Sequence, residues 1–108
     1  MLLMTTTGRK TGQPRELLIQ YYPNGDEMVV VASNGGRDNH PAWLHNVRAN
    51  PDVHVKIGRR TMRTTAQVVD GPERDALWSE LTQWYPGYAH YQTLTDRRIE
   101  IVALRPVA

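Results

Sequence analysis

The chain has 108 residues, 40% hydrophobic and 22% charged, which is the balance of an ordinary globular protein and excludes a disordered or collagen-like chain. Without cysteine it can form no disulfide, thiolate nucleophile or cysteine-ligated zinc site. A net charge of +2 fits a small anionic ligand better than a nucleic acid. We therefore expect one domain over residues 1–108, with no transmembrane segment and no nucleic-acid partner.

The first half of the chain is predicted to form three strands. Leu2–Thr7 is β-branched toward its end, and two largely apolar runs, Arg15–Tyr22 and Glu27–Ser33, flank an Asn-Gly pair. Asn-Gly favours a hairpin turn, because both central residues of a type I′ turn need positive φ. Since Met28–Ala32 is continuously apolar, its strand is expected to be buried on both faces.

A first helix is predicted between two prolines. Pro41 suits the first helical turn, because its missing N–H would be unpaired there in any case, and Asn39 or His40 could cap it. Pro51 forces the helix to end near Ala49.

Strands and helices then alternate irregularly to the end of the chain. We predict strands over Val53–Ile57, Thr61–Val69 and Ile99–Leu104, a helix from Gly71, and a short helical piece over Tyr88–Leu94. The fold class is therefore α+β, mainly β. Six strands in so short a chain predict an antiparallel, closed or half-closed barrel with two to three flanking helices.

A glycine-bounded basic loop follows the first strand. Arg9, Lys10 and Arg15 lie within eight residues of Gly8, with Gly12 between them. Glycine lets backbone N–H groups converge on an anion, and the cations add charge and donors. The loop is thus either an anion-binding site or a solvated basic turn.

A run of small residues links the buried strand to the first helix. Ala32–Gly36 would let a flat heterocycle approach the backbone closely. Trp43 would pack either against that ring or in the core. His40 is interpreted as a capping or loop residue rather than a base.

Three tyrosines, Tyr85, Tyr88 and Tyr91, recur at intervals of three residues. On a helix this spacing groups them on one face. Because a phenol is protonated at neutral pH, such a group suits an acid or an electrophile. The alternative is an aromatic stripe that closes the mouth of the barrel.

Several other classes of site lose support. The histidines lack the helical spacing of metal ligands, so no metal site is expected. Neither a nucleophile elbow nor a dinucleotide-binding glycine motif is present, which argues against a hydrolase or a Rossmann enzyme. Arg59-Arg60 and Arg97-Arg98 are interpreted as solvated turns.

Taken in order, these stretches resemble the deazaflavin (coenzyme F420)-dependent nitroreductase family. The matching segments are 3–12 with Pro14-Arg15, 30–36, His40–Trp43 with Asn46, 49–51, and Tyr85–Tyr91 leading into Thr95-Asp96-Arg97. The resemblance covers nearly the whole chain and implies a split β-barrel that binds F420.

The resemblance also implies roles for particular residues. Arg9, Lys10 and Arg15, helped by Thr11 and Gly12, would hold the phosphate or the tail carboxylates of F420. The deazaflavin ring would be bordered by Ser33, Asn34 and the start of the helix near Trp43. Ala32 and Asn46 would also belong to the cofactor site. The catalytic, acceptor-facing residues would be Tyr85, Tyr88 and Tyr91.

The implied activity is hydride transfer from reduced F420 to an electron-poor organic acceptor, such as a quinone, an enone or a nitroaromatic. Two alternatives stay open: an FMN-binding split-barrel oxidoreductase, with FMN the less favoured cofactor, and a non-catalytic F420 carrier. Because split barrels often pair, a homodimer is favoured. We expect a cytoplasmic protein, with peripheral attachment to a membrane left open.

Overall fold

The computed structural model describes residues 1–107, and its strands all belong to one curled antiparallel sheet. The elements in chain order are β1 (Leu2–Thr7), β2 (Pro14–Ile19), β3 (Tyr22–Asn24), β4 (Glu27–Val31), a 3-10 turn (Asn34–Gly36), α1 (Ala42–Ala49), β5 (Asp52–Ile57), β6 (Arg60–Val68), α2 (Gly71–Trp84), α3 (Gly87–Thr93) and β7 (Ile101–Pro106). The predicted α+β, mainly β class is confirmed. None of these three α-helices is long and apolar enough to cross a lipid bilayer.

The sheet contains seven strands, so the prediction of six was wrong. The run predicted as one strand over Arg15–Tyr22 is divided at Gln20-Tyr21, and its two parts pair with different neighbours: β2 with β1, and β3 with β4. The break at Gln20-Tyr21 contains neither proline nor glycine, so no residue type marks it. The pattern of apolar residues alone therefore could not reveal it.

The strand order explains how the sheet curls into a half-barrel. The order is β2-β1-β5-β6-β7-β4-β3, so β2 and β3 are the two edges of the sheet. Only Gln20 and Tyr21 separate these edges in sequence, and three Cα steps span at most about 11 Å. The two edges must therefore lie close together. We call Gln20-Tyr21 the seam of the barrel.

Strand β4 is buried on both faces, as its apolar run predicted. Met28, Val30 and Ala32 point into the barrel interior, where α1 supplies Leu44 and Val47. The alternate residues of β4 point outward into a second cluster formed with α2, α3 and β7. Helix α1 thus fills the barrel, while α2 and α3 cover one outer wall.

The ends of the helices differ in part from expectation. Pro41 itself is the N-terminal cap of α1 and offers no side-chain cap, so the prediction that Asn39 or His40 caps this helix was wrong. The side chain of Asp70 caps α2 by accepting a hydrogen bond from Gly71 N at 2.9 Å. His40 is instead bound by an arginine from another part of the chain.

Candidate functional site

A cleft of about 1150 Å³ opens between the β1–β2 loop, the chain from β4 into α1, strand β2 and helix α3. Eleven of the thirteen predicted site residues line it. These are Arg9, Lys10, Thr11, Arg15, Ser33, Asn34, Trp43, Asn46, Tyr85, Tyr88 and Tyr91. Residues far apart in sequence thus share a single cavity.

The other two predicted residues do not line this cleft. Gly12 lies on the far side of its loop, where it adopts φ +73° and donates a hydrogen bond to Gly8 O at 2.8 Å. Ala32 is fully buried, and its carbonyl accepts a hydrogen bond from Arg97 at 3.2 Å. Both residues therefore shape the backbone around the cleft.

The basic loop is closed by its own backbone. Gly8 N donates to Gln13 O at 2.8 Å, and the Thr11 hydroxyl accepts from Gln13 N at 3.2 Å. A Cβ at Gly8 would lie 3.1 Å from both Gln13 O and the Thr11 hydroxyl, so a side chain there would crowd the turn. These hydrogen bonds fix the backbone of the loop that carries the exposed cations.

Asn46 of α1 ties the backbone of this loop to the barrel. Its side-chain oxygen accepts a hydrogen bond from Arg9 N at 3.1 Å, and its amide donates to the buried Thr6 hydroxyl at 3.2 Å. Both bonds cross some forty residues of sequence. Asn46 therefore lines the cleft and also sets the position of the cationic loop.

The three loop cations have no acidic partner in the described part of the chain. The five ion pairs found within residues 1–107 all use other arginines: Arg48, Arg98 and Arg105. Arg9, Lys10 and Arg15 instead face the cleft. Uncompensated positive charge at one end of a cavity favours a ligand with an anionic group.

A single arginine holds the segment that follows β4, and sequence reasoning missed it. Arg97 donates to the backbone oxygens of Arg37 at 2.7 Å, Ser33 at 2.8 Å and Ala32 at 3.2 Å. The interpretation of Arg97 as a solvated turn residue was therefore wrong. Its only sequence signal was its place in the 95–97 stretch of the family resemblance.

Its neighbour Arg98 is also bound rather than simply solvated. It pairs with Asp70 at 2.6 Å and with Glu100 at 2.8 Å. These contacts tie the start of α2 to the chain that leads into β7. Arg59 and Arg60, by contrast, are exposed, as expected.

The tyrosines form one wall of the cleft. The rings of Tyr85 and Tyr88 are 4.8 Å apart, and the buried Tyr88 hydroxyl accepts a hydrogen bond from Gln20 Nε2 at 3.0 Å. Burial raises the pKa of Tyr88, and interaction with the Tyr85 hydroxyl raises the pKa of Tyr91. Both phenols therefore stay protonated well above neutral pH.

Close packing fixes α3 against the 3-10 turn. A Cβ on Gly36, which has φ +79°, would lie 2.9 Å from both Tyr91 O and the end of the Leu94 side chain. Only glycine permits this approach. The small residues after β4 thus position the tyrosine wall, a role that their sequence pattern alone did not indicate.

Strand β2 contributes a further side of the cleft that was not predicted. Glu16, Leu17, Ile19 and Gln20 all line it. The signal for them was present, because Arg15 lies near the start of the same strand and lines the same cavity. The residues of the strand after Arg15 were not predicted as part of the site.

Comparison with known proteins identifies a family that matches almost the whole chain. Residues 1–106 match the model of a family described as F420H(2)-dependent quinone reductase. The chain is 40% identical over 106 residues to an F420H(2)-dependent quinone reductase of Mycobacterium tuberculosis strain H37Rv, covering 95% of this chain and 71% of that protein.

Two solved structures share the architecture at the same level of similarity. An F420-H2 dependent reductase, FDR-A, superposes with a TM-score of 0.87 at 39% identity, covering 96% of this chain and 92% of the other. A second structure, described as a domain-swapped dimer, has a TM-score of 0.87 at 39% identity and covers 96% of this chain and 78% of its own.

Proposed function

The chain belongs to the F420H(2)-dependent quinone reductase family, and from that premise we propose that it transfers a hydride from reduced F420 to a quinone. Family membership makes it an F420-dependent reductase with F420 as its cofactor, as the resemblance implied. The acceptor and the residue roles are our proposal. The observation that carries it is one cleft with free cations at one end and protonated phenols at the other.

The residues of the cleft fit F420 chemically. The cofactor carries a phosphate and a carboxylate tail, and the basic loop offers three cations with no acidic partner within residues 1–107. Its deazaflavin ring is flat, and the small residues after β4 lie beside the largely buried Trp43. The volume of about 1150 Å³ lies near the upper end of the range typical of cofactor sites.

The basic loop would bind the anionic part of the cofactor. Arg9, Lys10 and Arg15 would contact the phosphate or the carboxylates, with Thr11 assisting. Because Asn46 fixes Arg9 N, the loop need not be reorganised on binding. Preorganisation of this kind reduces the entropic cost of association.

Ser33, Asn34 and Trp43 would border the ring. When bound, F420 supplies the hydride, and the protein's contribution is to orient the two reactants and exclude water. The Ser33 and Arg37 carbonyls are both held by Arg97, so this border is rigid. A rigid border would keep the ring in one orientation against the tyrosine wall.

The tyrosines would act on the acceptor. As a quinone receives a hydride, negative charge develops on its oxygen, and a nearby phenol can stabilise that charge by donating a hydrogen bond. Tyr88 and Tyr91 both have raised pKa values and so hold their protons. The Tyr88 oxygen already accepts from Gln20, which leaves its own proton free to point into the cleft.

The decisive experiment is a binding and turnover assay on the purified protein. Oxidised F420 is titrated with FMN as the parallel control, and reduced F420 is then mixed with a naphthoquinone, an enone or a nitroaromatic. We expect binding of F420 but not FMN, with fastest turnover on the quinone. F420 binding without turnover of any acceptor would indicate a carrier, and a preference for FMN would overturn the cofactor assignment.

We further propose that the protein forms a homodimer through the outer edge of β2. This edge has no pairing partner among the described residues, and it exposes 64% of Leu18 and 40% of Leu17. An exposed apolar edge strand is a template for pairing with another chain. The similar structure described as a domain-swapped dimer supports self-association in proteins of this architecture.

A further inference from the structure

His40 lies at the cleft and has no role in the function derived above. Its ring is partly buried at the junction between the 3-10 turn and α1, where it lines the same cavity as Ser33 and Trp43. Its Nδ1 lies 3.3 Å from the Arg97 guanidinium. The same guanidinium also binds three backbone oxygens, so it cannot readily move away.

The chemistry of arginine decides which nitrogen of His40 carries the proton. A guanidinium has only donors and stays charged in proteins, so the nitrogen that faces it must be the acceptor. His40 Nδ1 is therefore unprotonated. A neutral imidazole carries its single proton on the other nitrogen, and the bond made by one nitrogen sets the state of the other.

Burial and nearby positive charge lower the pKa of His40. Burial is the largest cause that lowers its pKa, followed by the electrostatic influence of Arg97, Arg48 and His45. Glu100 is the one group among these neighbours that acts in the opposite direction. With its pKa below the usual range, His40 is uncharged at neutral pH.

The remaining N–H of His40 has no protein partner. No hydrogen bond joins Nε2 to any residue within 1–107, and the only buried side-chain polar atom left unpaired in that range is Arg74 Nε. His40 Nε2 is therefore accessible from outside the protein. Because His40 lines the cleft, a bound ligand can reach this donor.

We propose that Arg97 holds His40 as the tautomer protonated at Nε2, and that this N–H donates a hydrogen bond to an oxygen on the ring of bound F420. The ring oxygen is the expected acceptor, because His40 lies beside Ser33 and Trp43 and not in the cationic loop. Arg97 is then a positioning residue and His40 a cofactor-binding residue. This inference rests on the proposed function for the identity of its ligand.

Two substitutions at His40 distinguish the roles of its two ring nitrogens. In His40→Asn, the side-chain oxygen takes the place of Nδ1 and keeps the bond to Arg97, but no donor replaces Nε2. In His40→Gln, the amide nitrogen reaches the place of Nε2 and keeps the donor. We expect His40→Asn to raise the Kd for oxidised F420 about 3- to 10-fold, as for one lost neutral hydrogen bond, and His40→Gln to stay within about twofold of wild type.

The matched control is His45→Asn. His45 lies on α1 with its ring 5.9 Å from that of His40, but it does not line the cleft. Its substitution is expected to leave the Kd for F420 unchanged. Equal weakening in both asparagine variants would overturn the inference.

A measurement without cofactor tests the tautomer directly. Long-range proton–nitrogen NMR correlations distinguish the two neutral tautomers of histidine, and loss of signals in His40→Asn assigns His40. We expect Nε2 to carry the proton in wild type and Arg97→Lys to give a mixture, because a lysine cannot reproduce the four bonds of the guanidinium. A purely structural role of Arg97 would not change the tautomer.

The outcomes separate this inference from the proposed function. Protonation at Nδ1 in wild type, or unchanged F420 affinity in His40→Asn, would overturn the inference and leave the proposed function standing. Failure of wild-type protein to bind F420 would overturn the proposed function, and with it the ligand assigned to Nε2.

Discussion

At the scale of single residues, the site contains two groups of side chains: those that face the cleft, and those that hold the surrounding backbone in place. Arg9, Lys10 and the tyrosines line the cleft, whereas Asn46 and Arg97 make hydrogen bonds to other parts of the protein. The sequence revealed the first kind by residue type and spacing. Asn46 was predicted as a site residue, but the positioning roles of Asn46 and Arg97 were not, because their partners lie about 37 to 65 positions away in sequence.

Removing two cations from the basic loop should weaken cofactor binding. Each hydrogen bond to a charged group contributes about 1.5–3 kcal/mol, and exposure reduces that contribution. We expect Arg9→Ala with Lys10→Ala to raise the Kd for F420 about 10- to 100-fold, measured by fluorescence titration. The matched control, Lys56→Ala with Arg59→Ala, removes one exposed lysine and one exposed arginine outside the cleft and should have no effect.

If the loop variant binds F420 as tightly as its control does, the loop does not hold the anionic tail. The positive charge of the chain would then act only over long range. Repeating the titration at high salt tests this reading, since long-range attraction is screened and direct contacts are screened less.

Removing a phenolic hydroxyl from the tyrosine wall should slow turnover without weakening cofactor binding. Tyr88→Phe or Tyr91→Phe is expected to lower kcat with a quinone by up to about 100-fold, because a donor to the developing negative charge is lost. Because the pKa of each phenol is raised, wild-type kcat should stay constant through neutral pH and fall only in alkaline solution.

Tyr22→Phe is the control for the tyrosine variants, since the Tyr22 hydroxyl contacts Glu80 and lies outside the cleft. Its kinetics should match those of wild type. Full activity of both cleft variants across several quinones would remove the phenols from the mechanism.

At the scale of the elements, most strands and helices were predictable, because their signals are local. The bounds of β1 were predicted without error, and β4 to β7 and all three helices were found within a few residues. The break between β2 and β3 was missed, because it depends on which neighbour each half pairs with. The cap of α1 was predicted wrongly, because Pro41 occupies the cap position and His40 instead contacts a distant arginine.

The contact between the 3-10 turn and α3 can be tested with two neighbouring glycines. Gly35 and Gly36 both have positive φ, at 64° and 79°, so alanine at either position costs about 1 kcal/mol of backbone strain. A Cβ at Gly35 meets open space, whereas one at Gly36 meets Tyr91 and Leu94. We expect Gly36→Ala to cost about 2–4 kcal/mol in the free energy of unfolding.

The comparison uses urea unfolding for stability and kcat for the position of the tyrosine wall. Gly35→Ala should lose about 1 kcal/mol of stability and keep most of its kcat. Gly36→Ala should lose more of both. Identical losses in the two variants would mean that α3 can move away from the turn without consequence for the site.

At the scale of the whole molecule, the curled sheet brings the parts of the site together. The basic loop joins the first two strands, and the small-residue segment follows the fourth. Tyr88 and Tyr91 lie on α3, which packs outside the sheet, and Tyr85 lies between α2 and α3. No local pattern predicts that these segments meet. Only the resemblance to a known family, applied to the whole ordered set, predicted their convergence.

The free edge of β2 predicts self-association. We expect the mass from analytical ultracentrifugation to rise toward that of a dimer with concentration, and Leu18→Lys to abolish the rise by placing a charge on the edge strand. Val107→Lys replaces another exposed apolar residue away from β2 and should still associate. A monomer at every concentration would overturn the homodimer.

The position of β7 has a consequence for how the protein is made. Among the seven strands it is the last to leave the ribosome, yet it lies between β6 and β4 in the interior of the sheet. Until it arrives, one edge of β4 lacks its partner strand, and the unpaired backbone of this apolar strand can pair with another chain. We therefore expect a chain that lacks β7 to aggregate more readily than the complete chain.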